Sequence, residues 1–132
     1  MARIYKRADA IPLGLPGRRS FEILSGARGS NSSTLRLVEI PVSSPGDALR
    51  SFHHHRDCEE CIVVLSGEGT TYTENSEFPL KSGDTILIPA GEWHVTRNTG
   101  KEPLLLLCFF PLADITPGFQ ESPTPSSQPQ KP

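Results

Sequence analysis

Long apolar runs are missing from this chain of 132 residues. The longest, Leu104 to Phe110, has seven residues, far short of the roughly 20 that a helix needs to cross a bilayer. No membrane partner is expected. Excess positive charge is missing too, since 13 Lys and Arg against 15 Asp and Glu leave a formal net charge of −2. A nucleic-acid surface needs a basic stripe to displace counterions from phosphates, so nucleic acid is not an expected partner either. Cysteine is scarce and odd in number, three in all, which gives no disulfide framework and suits a reducing compartment. No apolar stretch of signal-peptide length follows Arg3, Lys6 and Arg7. A cytoplasmic, single-domain protein is the expectation.

Clean helical periodicity is also absent. What recurs instead are short strand-like runs, expected near Phe21–Ser25, Thr34–Ile40, Leu49–His55, Glu59–Leu65, Thr70–Glu74, Thr85–Ile88, Trp93–Asn98 and Leu104–Phe110. Between them lie SGARGSNSS, PVSSPGD, SGEG, KSGD, PAGE and NTGKEP, rich in the Gly, Pro, Ser, Asn and Asp that turns require. Many short strands at close spacing point to an all-β sandwich or barrel. Residues 1–20 read as an N-terminal arm, 21–116 as the barrel and 117–132 as a disordered Pro/Ser-rich tail. The run LLLLCFF is apolar on both faces, so its strand is either buried between sheets or covered by a partner subunit.

The chemistry concentrates in SFHHHRDCEECIVVLSGEG. Side chains two apart on a strand share a face, so His53 and His55 point the same way, about 6.6 Å apart along the backbone. His54 then faces the other side. Glu60 opens the next strand, and a short hairpin over Arg56–Glu59 is expected to return its carboxylate beside the two rings. Ile62 and Val64 share its face as an apolar wall. Further on, GDTILIPAGEWHVTRN supplies His94 beyond a Pro-containing turn. Three imidazoles and one carboxylate form a mixed N/O donor set suited to one divalent transition metal (Fe, Mn, Ni, Zn or Cu). Four protein ligands on an octahedral ion leave two positions open, a catalytic pattern in place of a closed structural one.

These residues resemble the two motifs of the cupin superfamily. The first, G-x5-H-x-H-x(3,4)-E-x6-G, is matched by His53, His55, Glu60 and Gly67; the second, G-x5-P-x-G-x2-H-x3-N, by Gly83, Pro89, Gly91, His94 and Asn98. One departure is Gly46, which precedes His53 by seven positions instead of six. A bulge before the strand would absorb the extra residue. The resemblance implies a single-domain jelly-roll barrel of two antiparallel sheets, a bound metal, a small-molecule substrate and a homodimer. It also implies a choice of chemistries: a non-haem-iron-type dioxygenase or oxidoreductase first, then a lyase or isomerase on an organic acid, sugar acid or sulfonium compound, then a non-catalytic binding cupin. Fold alone does not choose among them.

Beyond the ligand set, Glu60 and Tyr72 are the candidate proton-transfer groups. Tyr72, Arg36, Thr96, Phe109 and Cys108 stand on strands that can line the cavity. Arg36 turned inward would favour a carboxylate substrate, and turned outward it would be solvated. Cys58 and Cys61 form a C-x2-C that lacks the second pair of a zinc knuckle and the following helix of a redox site. They read as structural, with Cys61 on the face opposite Glu60 and Cys58 near the pocket mouth. Gly67 and Gly69 are expected to flank a hairpin turn.

Overall fold

A computed structural model describes residues 1–122. Among these described residues, eleven strands make two antiparallel sheets. The larger joins β1 (Ile11–Pro12), β2 (Arg19–Leu24), β3 (Thr34–Ile40), β10 (Leu104–Phe110), β5 (Glu60–Ser66) and β8 (Thr85–Ile88) in that spatial order. The smaller joins β11 (Phe119–Glu121), β4 (His53–His55), β9 (His94–Asn98), β6 (Glu68–Thr73) and β7 (Glu77–Lys81). The fold is the all-β jelly roll expected, with no α-helix among the described residues.

Alternation along each strand decides what faces the interior. On β5, Glu60, Ile62 and Val64 are buried while Cys61 and Val63 are less so. On β10, Leu104, Leu106, Cys108 and Phe110 point inward. They meet Val38, Ile40, Ile88 and Ile115 in one core cluster. The opposite face of β10 carries Leu105 and Leu107, half-buried, and Phe109, exposed. Strand β10 therefore sits mid-sheet between β3 and β5, with one face in the core and the other on the outside.

Two expected hairpins prove to be corners. Strands β4 and β5 do not pair; Arg56–Glu59 carries the chain from the smaller sheet to the larger. Glu60 still arrives beside the histidines because the sheets face each other. Likewise Gly67 links β5 to β6 across the layers. Its φ is +88°, and a Cβ there would stand 2.6 Å from the Pro103 carbonyl oxygen. Gly69 has no positive φ and serves close approach, since its Cβ would lie 2.5 Å from Leu104 Cδ2.

Strand boundaries shifted where local signals were weak. Residues 49–52 lie outside the strand that begins at His53. Strand β7 was not expected because Pro79 interrupts it, yet it is a sheet edge, where a missing N–H is tolerated. Strand β11 falls within the stretch expected to be a disordered tail: Phe119, Gln120 and Glu121 pair with His55, His54 and His53. The remainder of that tail, 123–132, lies outside the described residues. At the other end, β1 pairs with Phe21 and Glu22, and the Tyr5 hydroxyl donates to the Arg28 carbonyl, laying the N-terminal segment against the larger sheet.

Gly67→Ala combines a left-handed backbone with a backbone clash. It should destabilise the protein by about 2–3 kcal/mol, read as a lower urea midpoint at unchanged m-value.

Candidate metal centre

The site forms where β4 and β9 of one sheet face β5 of the other. His53 lies directly opposite His94 in the β4–β9 ladder, and the two rings stand 4.3 Å apart between centroids. The His55 ring is 5.3 Å from His53 and 5.9 Å from His94. Glu60 reaches in from β5, its Oε1 lying 3.1 Å from His94 Nε2 and 3.5 Å from His55 Nε2. Ligand-capable atoms of all four residues fall within 4.8 Å of one another. Two donors on opposite sides of one ion with bonds of ~2.1 Å would stand about 4.2 Å apart, so this spread is only slightly wider than a shared coordination sphere.

Hydrogen bonding argues for a cation at this point. His94 Nδ1 lies 2.9 Å from the Glu92 carbonyl oxygen, which can only accept, so Nδ1 carries the hydrogen. Nε2 then turns a lone pair toward the Glu60 carboxylate. Two acceptors this close require a positive centre, either a second ring proton or a metal ion. His55 Nδ1 is sealed from solvent without a partner among the described residues. The donor set and its arrangement fit a divalent transition metal.

Burial sets the charge states. It opposes the charge on Glu60, but in the metal-free chain a hydrogen bond from His94 Nε2, the ring-proton alternative, and the closeness of His94 outweigh it and hold that carboxyl below its usual value. The Cys108 thiol also hydrogen-bonds this carboxylate, and burial, then Glu60, pushes the thiol well above the ordinary range. Cys108 is thus a neutral donor. Desolvation, reinforced by His94, lowers His53 well below 6.5. Desolvation pushes His55 down to about 4, although Glu60 pulls the other way.

The chamber in front of these residues has a volume of about 190 Å³. Val38, Ile62, Leu106, Phe110 and Ile115 wall it, and Leu15, Arg18, Thr116 and Phe119 bring both terminal segments to it. Arg36, Thr96 and Cys108, considered from sequence as lining residues, do line it. Arg36 is tied to Glu22 at 3.2 Å. Phe109 and Tyr72 do not line it. Tyr72 sits on the other face of β6 from Thr71, with the Arg97 guanidinium carbon 5.3 Å from its ring centre, because Thr71 is the residue that turns inward to hydrogen-bond Thr96. The chamber brings Glu60 to the histidines and leaves Tyr72 away from them. His54, on the outer face, packs edge-on to Trp93. Cys58 packs against the core and Cys61 faces out; neither lines the chamber.

Among the charged lining residues that escaped the sequence reading, Arg50 is the most deeply set. Arg50 stands three positions before His53 and turns into the chamber. Its Nη1 donates to the Thr96 carbonyl at 3.3 Å, while its Nε is sealed from solvent without a partner among the described residues. Desolvation, then Arg18, pushes it down to about 9. An arginine one turn of chain ahead of a His-x-His pair was the available signal.

Comparison with known proteins places this geometry. A Cupin domain model matches residues 39–110. The chain is 34% identical over 113 residues to auxin-binding protein 1 of Arabidopsis thaliana, covering 79% of this chain and 57% of that protein. It is 28% identical over 92 residues to a gentisate 1,2-dioxygenase of Haloferax sp, covering 70% and 25%. The chain spans about half the length of the first curated relatives it matches. The oxalate decarboxylase of Lactobacillus farciminis, solved as a formate complex, superposes with a TM-score of 0.73 at 21% identity over 86% of this chain and 34% of that one.

Metal-free protein should lose stability as pH falls from about 6.5 to about 4. In that window the unfolded chain binds protons at His53 and His55 that the folded chain refuses, so stability is full above the window and falls through it. His55 alone accounts for about 3 kcal/mol of the loss, measured as urea midpoints across pH, and His55→Leu should remove that share of the slope while His53 keeps the rest.

Proposed function

The chain belongs to the cupin family, and from that premise we propose that it is a metal-dependent enzyme acting on a small organic molecule, with a non-haem-iron-type dioxygenase as the best-supported reaction. The observation that carries this reading is the convergence of His53, His55, Glu60 and His94 on one face of a 190 Å³ chamber. A divalent metal held by these four would supply Lewis acidity toward an oxygen ligand and, as iron, redox chemistry with O₂.

The chain's own residues do the rest. Val38, Ile62, Leu106 and Phe110 keep the chamber apolar, excluding water from the reacting atoms. Cys108 holds the Glu60 carboxylate from behind, and Glu92 fixes the His94 ring by its Nδ1 hydrogen. Glu60 is the carboxylate available for proton transfer in this set, since Tyr72 points elsewhere. The volume lies under the ~300–1,000 Å³ usual for ligand pockets, which supports a substrate of few atoms. That smallness and the guanidinium groups in the lining favour a second reading, a metal-dependent lyase or isomerase of a small organic acid. The apolar outer face of the larger sheet, with Leu65, Leu87 and Phe109 exposed, supports a homodimer.

Elemental analysis of the purified protein should give close to one transition-metal ion per chain. His53→Ala and His94→Ala should each weaken metal affinity at least tenfold. Fe(II)-loaded protein offered small aromatic acids, catechols and diketones should consume O₂ in step with substrate. Turnover without O₂ uptake selects the lyase or isomerase reading, and ligand binding without turnover selects a binding cupin.

A further inference from the structure

Exposure locates the mouth of the chamber. Among the described residues that line it, Thr116 and Phe119 alone are exposed, and both belong to the C-terminal segment. Thr116 is small, so Phe119 supplies the bulk at this opening. Phe119 is 37% exposed, against 3% for Phe110, the other phenylalanine of the wall. It lies directly opposite His55 in the β11–β4 ladder, and residues so paired point to the same face. The Phe119 ring centre stands 5.6 Å from that of His53 and 5.7 Å from that of His55, the spacing of rings in contact. One ring thus meets water on one side and two of the four candidate ligands on the other.

The backbone holds that ring in place. The Phe119 N–H closes a turn on the Thr116 carbonyl at 3.2 Å, the Arg56 N–H donates to the Gly118 carbonyl at 2.8 Å, and the Ser122 N–H donates to the Phe52 carbonyl at 2.8 Å. Ile115 roots the segment in the core. Gly118 lets it pass close to the corner before β5, where a Cβ would stand 3.1 Å from the Asp57 amide nitrogen. We propose that Phe119 is the specificity-determining residue at the mouth of this chamber, its ring keeping from the histidines and Glu60 any molecule too wide to pass it. The ring occupies space that a broader molecule would need, and the enclosed volume of about 190 Å³ is what it leaves. An apolar chamber discriminates among ligands by what it has no room for. Because Phe119 stands at the surface, truncating it opens a slot to solvent instead of leaving a sealed cavity in the core. The assignment rests on the chamber being the ligand site of the proposed function, and it makes width the property by which that site selects.

The test uses the full chain in two forms. Metal-free protein is treated with diethyl pyrocarbonate, and modification of each histidine is followed by fragment-ion mass spectrometry. Phe119→Ala should speed modification of His53 and His55 several-fold and leave His54, on the outer face, nearly unaffected. Co(II)-loaded protein is titrated with imidazole and with the broader 4-phenylimidazole, read by the visible absorption of the ion. Wild-type protein should prefer imidazole by about tenfold or more. That preference should fall in Phe119→Leu, fall further in Phe119→Ala and rise in Phe119→Trp. Equal binding of the two probes by wild-type protein, or a preference that does not move across the series, overturns the assignment. Unchanged reactivity of His53 and His55 in Phe119→Ala also overturns it, as does equal acceleration at His54, which would mean that β11 has frayed. If Phe119→Ala fails to fold, Phe119→Leu and Phe119→Trp, which move the preference in opposite directions, still decide. Failure of wild-type protein to take up Co(II) would count against the metal-dependent reading alone, since the metal-free arm measures the mouth by itself.

Discussion

Three imidazoles and a carboxylate crowded into an apolar enclosure form an arrangement that no uncharged filling satisfies. The Glu92 carbonyl fixes the hydrogen of His94 on Nδ1, and Nε2 is left facing Glu60 at 3.1 Å. Burial keeps His53 and His55 from taking up protons of their own. Much of the surrounding construction can be understood as support for this contact. Phe110 packs 4.7 Å from the His55 ring, Cys108 donates to the carboxylate, and Phe119 covers His53 and His55 at 5.6 and 5.7 Å.

The family likeness and the chemistry of the chamber carry different weights. Half the chain or more follows a cupin pattern, and that settles the architecture. It leaves the reaction open, because the same barrel serves many chemistries. This chamber has a volume of about 190 Å³, apolar walls and, at Arg50, a guanidinium with no ion-pair partner among the described residues. Those features belong to side chains outside the motif positions.

How much was legible in the sequence follows from the range of each signal. The two-residue period placed His53, His55, Glu60 and Ile62 on the correct faces without knowledge of tertiary structure, because parity is local. Which strand pairs with which is not local. The Arg56–Glu59 link read as a hairpin because short loops usually join neighbours, and the sheets' mutual facing is invisible to that rule. Pro79 hid β7 by breaking its pattern, and the polar composition after Thr116 hid β11, whose pairing with β4 is a long-range backbone event. Arg36 and Arg50 were indistinguishable as letters. Only the position of Glu22 beside one of them separates a paired cation from an unpaired one.

The donors of this centre come from opposing layers, the imidazoles from β4 and β9 and the carboxylate from β5. Their separation is therefore a gauge of the gap between sheets, and that gap is set by the girth of side chains far from the site. Leu104 and Val64, both almost fully enclosed toward the other end of the sandwich, act as spacers in this sense. Swelling or shrinking either one would tilt the layers and retune the grip on the ion, although neither touches a ligand.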